Sequence, residues 1–303
     1  MEIASLANPV LAITLSPLLL GVINRTKALF AGRTGQPLLQ AYYDLWRLFH
    51  KGAVYSRTTT WLFRAGPMVS LAVVLTATLL VPFGHLPAIV PFTGDLVLFV
   101  YLMGLMRFMT VLAALDTGSS FEGMGASREV TFSTFCEPPL LLGLAAIVIL
   151  TRSLSLSPML GTITGHSWVD SGTTLAMVAA AVFVVFLAEN CRIPIDDPNT
   201  HLELTMIHEV MVLDHSGPDF GFILYTSAMK LWLLGAVLVG IIVPVHTGII
   251  WKDLAAAIGG MMALAVLTGV IESTMARFRL LRVPQLLFGA LALSILALIM
   301  VMR

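Results

Sequence analysis

The chain has 303 residues, 58% of them hydrophobic and 11% charged, with a mean hydropathy of +0.93. A soluble domain carries about 25% charged residues, so a soluble fold is excluded. Seventeen Lys+Arg balance seventeen Asp+Glu, which excludes both a nucleic-acid binder relying on basic excess and a weakly hydrophobic disordered chain. What remains is an all-α polytopic membrane protein, read as one integral membrane domain over residues 1–303.

Apolar runs of about 20 residues mark spanning helices. Eight are predicted, near 4–23, 66–83, 96–115, 131–150, 173–189, 222–244, 254–275 and 284–302. The first is not expected to be a cleaved signal, because it lacks a basic n-region and its first basic residue is Arg25. Between the first two spans, 38–51 reads as an amphipathic interface helix. Gln40, Asp44, Arg47 and Lys51 form one stripe, with Leu38, Leu39, Tyr42, Leu45, Trp46 and Phe49 away from it. Pro37 suits its first turn.

The basic residues orient the chain. With eight spans, one side receives Arg25, Lys27, Arg33, Arg47, Lys51, Arg57, Arg64, Arg128, Arg192, Arg277, Arg279 and Arg282. The other receives Arg152, Lys252 and Arg303, while Arg107 and Lys230 fall within spans. This bias predicts both termini outside and the first, third, fifth and seventh connections in the cytoplasm.

The acids are distributed differently. Asp116, Glu122, Glu129 and Glu137 lie in or beside one connection, expected as an acidic cytoplasmic loop over 116–137. Glu189, Asp196, Asp197, Glu203, Glu209, Asp214 and Asp219 occupy a second, over 189–219. Asp214 and Asp219 read as solvating charges in a turn. Glu137, Glu189 and Glu272 abut apolar runs, where an ionised carboxylate must pair or line a wet cavity. Glu122 and Glu129 are seven apart and would share a face of a continuous helix, with Arg128 beside them. Structural ion pairs between helices and a proton relay are both open readings, and Arg107 and Lys230 need partners too.

Other chemistry lacks its parts. His208-Glu209 opens a zincin-like pattern that Val212 breaks. His201, His208 and His215 would form a stripe only on a straight helix, and no metal site is expected. Cys136 and Cys191 read as small buried thiols, too few for a thiolate cluster. Gly118, Gly123 and Gly125 are expected in a loop between spans, the wrong setting for a dinucleotide fold.

Several segments together carry a family resemblance. Leu39-Gln40, Asp44, Arg47-Leu48-Phe49 and Lys51 resemble a segment of the subunit-1 family of respiratory complex I. Asp116-Thr117-Gly118-Ser119, Phe121, Gly123 through Glu129, and Glu137-Pro138 resemble one branch more closely. That branch holds the membrane subunits of formate hydrogenlyase, hydrogenase-4 and related membrane-bound nickel–iron hydrogenases. Glu189, Arg192, Ile193-Pro194, Asp196 and Glu203-Leu204 continue the pattern, so the resemblance covers essentially the whole chain.

The resemblance implies a non-catalytic subunit that binds no cofactor itself. It would anchor a peripheral arm of hydrogenase large, small and iron–sulfur subunits, which hold the Fe–S clusters and the Ni–Fe site. It would also adjoin antiporter-like membrane subunits in the lipid bilayer. Glu137, Glu189, Asp196 and Glu203 would be coupling acids. With Glu122, Glu129, His201 and Glu209 they make up the proton-coupling candidates, and Arg107, Arg128, Arg192 and Lys230 are the charge partners. Gln40, Asp44, Arg47 and Lys51 would face the arm. Asn199 and His201 stand where the family usually has glutamates; Asn cannot hold a proton, whereas His201 titrates near neutrality. The complex I quinone signature is incomplete, which favours a partner that needs no quinone. The competing readings are a quinone-site subunit of a complex I-like dehydrogenase, a stand-alone secondary transporter, and a purely structural anchor.

Overall fold

The computed structural model describes residues 6–84, 86–196 and 206–303. Among the described residues ten α-helices follow in order: α1 (Ala7–Phe30), α2 (Gln40–Phe49), α3 (Trp61–Thr78), α4 (Asp95–Asp116), α5 (Ser120–Thr151), α6 (Leu156–Gly161), α7 (Gly165–Glu189), α8 (Gly217–Ile242), α9 (Ile250–Thr274) and α10 (Val283–Met302). Short 3-10 turns at Glu209–Val212 and Leu280–Arg282 precede α8 and α10. Eight of the helices are long and apolar enough to cross a membrane: α1, α3, α4, α5, α7, α8, α9 and α10, the last counted from Leu280. The protein is an all-α polytopic membrane protein, as its hydropathy predicted.

The helix ends differ from their sequence-based bounds, in several places where polar groups find partners. Helix α1 runs on past position 23 to Phe30, and Lys27 on this extra stretch pairs with Glu272 of α9 at 2.8 Å. Helix α3 begins early, at Trp61, where the Thr60 hydroxyl caps the Leu62 N–H and Asp116 accepts from both the N–H and the hydroxyl of Thr60. It stops at Thr78, and Phe83 and Leu86 exchange backbone hydrogen bonds in a tight turn. Helix α7 begins at Gly165, with a capping box from Thr164 and a kink at Ser171. Pro37 lies before α2, closing a turn onto the Gln40 N–H, rather than in its first helical turn.

The largest correction concerns 116–137. From Ser120 onward it is helix, continuous with the fourth span, and the expected loop shrinks to 117–119. Gly123 and Gly125 are therefore helical residues. Pro138 and Pro139 sit inside this helix. Each lacks an N–H, so the carbonyls one turn earlier lose their helical donors beside Glu137.

Contacts between connections sort the molecule into two ends. At one end Val54 meets Ser216, Thr60 meets Asp116, and Arg277 meets Asp196. At the other, Asp95 accepts from the Ser155 hydroxyl at 2.6 Å and the Leu156 N–H at 2.7 Å, capping α6. Helix α8 is the most enclosed span, and Trp232 on it is fully buried. Its start is fixed by Gly217, whose φ of 58° and closeness to the Gly52 carbonyl leave no room for a Cβ. Helix α2 lies against α1 and α8, burying Leu45 and setting Phe49 against Phe222, while Tyr43 and Trp46 remain exposed.

Candidate functional site: a buried ion-pair cluster beside a chamber

Arg107 sits on α4 amid an apolar sequence, Leu105-Met106 before it and Phe108-Met109 after it. A guanidinium there must be compensated, and three carboxylates converge on it. Its Nη2 donates to Glu189 Oε1 at 2.6 Å and its Nη1 to Glu137 Oε1 at 2.7 Å, while Nε lies 3.5 Å from Glu129 Oε1. Glu189, the last residue of α7, also takes Lys230 of α8, with Oε2 2.8 Å from Nζ. Five sequence-predicted residues on α4, α5, α7 and α8 thus form one cluster. Glu129, Glu189 and Lys230 are buried, whereas the Glu137 side chain is 47% exposed on the outer face of α5.

The spacing of seven between Glu122 and Glu129 does put both on the buried face of α5, but at different tasks. Glu122 accepts the Asp214 N–H at 3.0 Å and fixes the chain before α8. Glu129 holds the Arg107 cluster. The close approach of the 3-10 turn to this face depends on Gly125: a Cβ there would stand 2.4 Å from Val210 Cγ1.

Beside the cluster lies a chamber of ≈ 190 Å³. Arg107, Glu129, Glu189 and Lys230 line its polar side, Met106, Met211, Phe220 and Ile223 its apolar side, and Asp196, His208 and Glu209 its approach from the connection after α7. Asp196 is buried. Its Oδ2 accepts the Ile207 N–H at 3.1 Å and its Oδ1 pairs with Arg277 at 2.8 Å. Arg128 donates to the Met206 carbonyl at 2.9 Å, tying α5 to the same connection. Arg192 joins a second cluster, 3.4 Å from Glu272 Oε1, with Lys27 on the other oxygen. His201 and Glu203 lie outside the described residues. Gln40 donates to Asp44 at 2.8 Å along α2; Arg47 on the same helix and Lys51 just after its end are exposed. They belong to a surface separate from the chamber.

Several residues escaped the sequence reading. His208 has Nδ1 3.2 Å from Glu129 Oε2. Lys27 and Arg277 were read only as orienting charges. No spacing signal links these positions, since their partners lie on other elements. The histidine stripe is not realised between His208 and His215, because the chain there forms a 3-10 turn rather than a straight helix. His215 instead stacks on Phe63, with ring centroids 3.9 Å apart, and burial holds its pKa down at about 4. Asp219, expected to be a solvating charge, is buried, and Tyr55 beside it is pushed up by burial and by that carboxylate. Burial raises the Cys191 thiol well above its ordinary range; of the two thiols read as buried, Cys136 is buried and Cys191 is partly exposed.

The chain resembles known proteins along its whole length. It is 28% identical over 294 residues to formate hydrogenlyase subunit 4 of Escherichia coli strain K12, covering 93% of this chain and 92% of that protein. It is 28% identical over 303 residues to hydrogenase-4 component C of the same organism, covering 97% and 94%. A chain of the membrane-bound sulfane sulfur reductase, an archaeal respiratory membrane complex, superposes with a TM-score of 0.84 over 98% of both chains; at 19% identity that likeness is one of fold. Residues 2–302 match the family described as NADH dehydrogenase, the subunit-1 family of complex I, and the chain belongs to it.

Proposed function

We propose that this chain is the membrane anchor and ion-coupling subunit of a complex I-like, hydrogenase-type oxidoreductase. The observation that carries this reading is the chain of charges Glu137–Arg107–Glu189–Lys230, running through the bundle beside a chamber that reaches the connection after α7. A charge change at a peripheral arm seated on that connection would be felt first by Asp196, His208 and Glu209. It would then reach Glu129 and Glu189, and finally Glu137 on the outer face of α5. Low dielectric strengthens each of these couplings. One pKa unit corresponds to about 1.4 kcal/mol, so a few linked acids transmit a useful driving force.

The outer face of α5 supports a lateral partner. Ser127, Thr131, Thr134 and Glu137 are all exposed there, and a carboxylate at that depth is costly against lipid. An antiporter-like membrane subunit would cover this stripe. Gln40, Asp44 and Arg47 on α2 and Lys51 just after it, at the same end as the connection after α7, are the proposed docking contacts for the arm. The basic bias of that end supports its being cytoplasmic, with the termini outside.

The chamber also bears on the quinone alternative. Sites for organic ligands are typically about 300–1,000 Å³ and mostly apolar. At ≈ 190 Å³, this chamber lies below that range. Any nickel–iron site and iron–sulfur clusters are assigned to partner subunits.

The test is purification in mild detergent with Glu189→Gln alongside wild type. The expected outcome is co-purification of iron–sulfur subunits with both, and loss of ion movement per redox turnover in the variant. A wild-type chain that purifies alone would remove the anchoring role, and unchanged ion movement in the variant would remove the coupling role.

A further inference from the structure

Among the described residues, the charges of the Arg107 cluster do not balance. Three carboxylates, Glu129, Glu137 and Glu189, meet two permanent cations, Arg107 and Lys230. The Glu137 side chain is half-exposed, so water takes part of that excess; Glu129 is buried with Arg107 Nε no nearer than 3.5 Å, and a buried carboxylate so loosely paired is costly unless it meets a proton donor. The sixth titratable group in contact is His208, with its Nδ1 3.2 Å from Glu129 Oε2. One proton shared by this imidazole and carboxyl neutralises the cluster.

The other neighbours have defined tasks. Asp196 accepts the backbone N–H of Ile207 and lies 3.4 Å from that of His208, and it pairs with Arg277. Arg128 binds the Met206 carbonyl, and Glu189 is taken by Arg107 and Lys230. Glu209 follows His208 and lines the same chamber, as do Cys191 and Arg192. Among the described residues, only the His208–Glu129 contact joins a group with an ordinary pKa near neutrality to the cluster.

We propose that His208 and Glu129 form the proton-loading pair of the cluster, the imidazole taking a proton from the arm side and passing it inward to the carboxylate. This inference rests on the coupling reading above. The transfer is a plain proton shift. The N–H bond at Nδ1 breaks and an O–H bond at Oε2 forms; cationic imidazole becomes neutral and the carboxylate becomes a carboxylic acid. No electron moves. The direction follows burial: the His208 side chain is 32% exposed and that of Glu129 is 7% exposed. The Nδ1–Oε2 contact survives on either side of the transfer, since N–H donates to carboxylate before it and O–H donates to imidazole after it. Loading also has a mechanical consequence. A neutral Glu129 no longer attracts Arg107 Nε, so the guanidinium is left to Glu137 and Glu189, toward the outer face of α5.

The test uses the assembled complex with His208→Gln and Glu129→Gln. The His208 backbone, not its ring, faces Asp196, so H208Q leaves that contact in place. Proton movement per redox turnover in sealed vesicles is expected to fall about tenfold or more in each single variant. The double variant should be no worse than either single, because the pair acts as a unit. Infrared titration of the purified complex supplies a readout that a merely structural role would not move. A carboxylic-acid C=O band that E129Q deletes should be present in the wild-type complex, and H208Q should change its amplitude, because the imidazole that shares the proton is gone. Wild-type proton movement in H208Q, or a carboxyl band indifferent to that substitution, overturns the proposal. Glu189→Gln separates the two readings: if it abolishes proton movement while H208Q does not, only the loading role falls; if neither affects it, coupling through this cluster falls as well.

Discussion

At the scale of single residues, the ions of this protein are held by multiplicity rather than by isolated pairs. Glu189 bridges Arg107 and Lys230, so removing one cation leaves a buried carboxylate short of compensation. Breaking such a pair costs about 3–5 kcal/mol. Lys230→Met should therefore lower the melting midpoint in detergent clearly. Adding Glu189→Gln should restore part of the loss, and strictly additive losses would mean the two side chains do not interact. His215 gives a different kind of prediction. Its ordinary pKa of 6.5 falls to about 4 in the fold because burial disfavours the cation. The unfolded chain binds the extra proton between those values, so stability is full above about 6.5 and declines as pH falls toward 4. The loss reaches at most about 3 kcal/mol. Replacing His215 by Phe, which can keep the stack on Phe63, should flatten this part of the pH–stability profile.

At the scale of elements, helix ends are set by what they touch. Asp116 at the end of α4 holds both the N–H and the hydroxyl of Thr60, the cap of α3. Asp116→Ala should cost about 1–2 kcal/mol, in line with loss of a helix cap, and should loosen the adjoining 51–60 segment to protease. Helix α5 and the 3-10 turn before α8 meet at Gly125. Gly125→Ala would place a methyl 2.4 Å from Val210, an overpacking of about 1–3 kcal/mol. Because that contact brings His208 to Glu129, G125A should also reduce proton movement per turnover, measured in the same vesicles. The continuity of α5 was only half legible. Its apolar half announces itself, whereas Ser120–Val130 is polar and turn-like in composition. It becomes helix because Glu122, Gly125 and Glu129 bury against the 206–216 connection and α4.

At the scale of the whole molecule, the net charge of zero is an average over unlike ends and depths. Basic residues crowd the end carrying α2, and several acids descend from that end into the bundle to meet Arg107, Lys230 and Arg192. The orientation can be checked directly. Arg57→Cys, in an exposed position at the α2 end, should react with a membrane-impermeant maleimide only after cells are opened, and Arg303→Cys should react from outside; the reverse pattern would invert the chain.

What the sequence determined by itself was the number of spans, the amphipathic helix and the family. Hydropathy and residue spacing along one helix are properties of neighbouring residues and survive in any fold. It also located the residues with a buried-charge problem, Arg107, Glu137, Glu189 and Lys230, because a charge inside an apolar run is visible without coordinates. Only the tertiary structure decided how that problem is solved. Arg107 meets acids 22, 30 and 82 positions away, and Glu129 meets His208 across two elements. Pairings over such separations depend on how helices pack, which no local pattern encodes, and that packing is what turns scattered ions into one cluster beside a chamber.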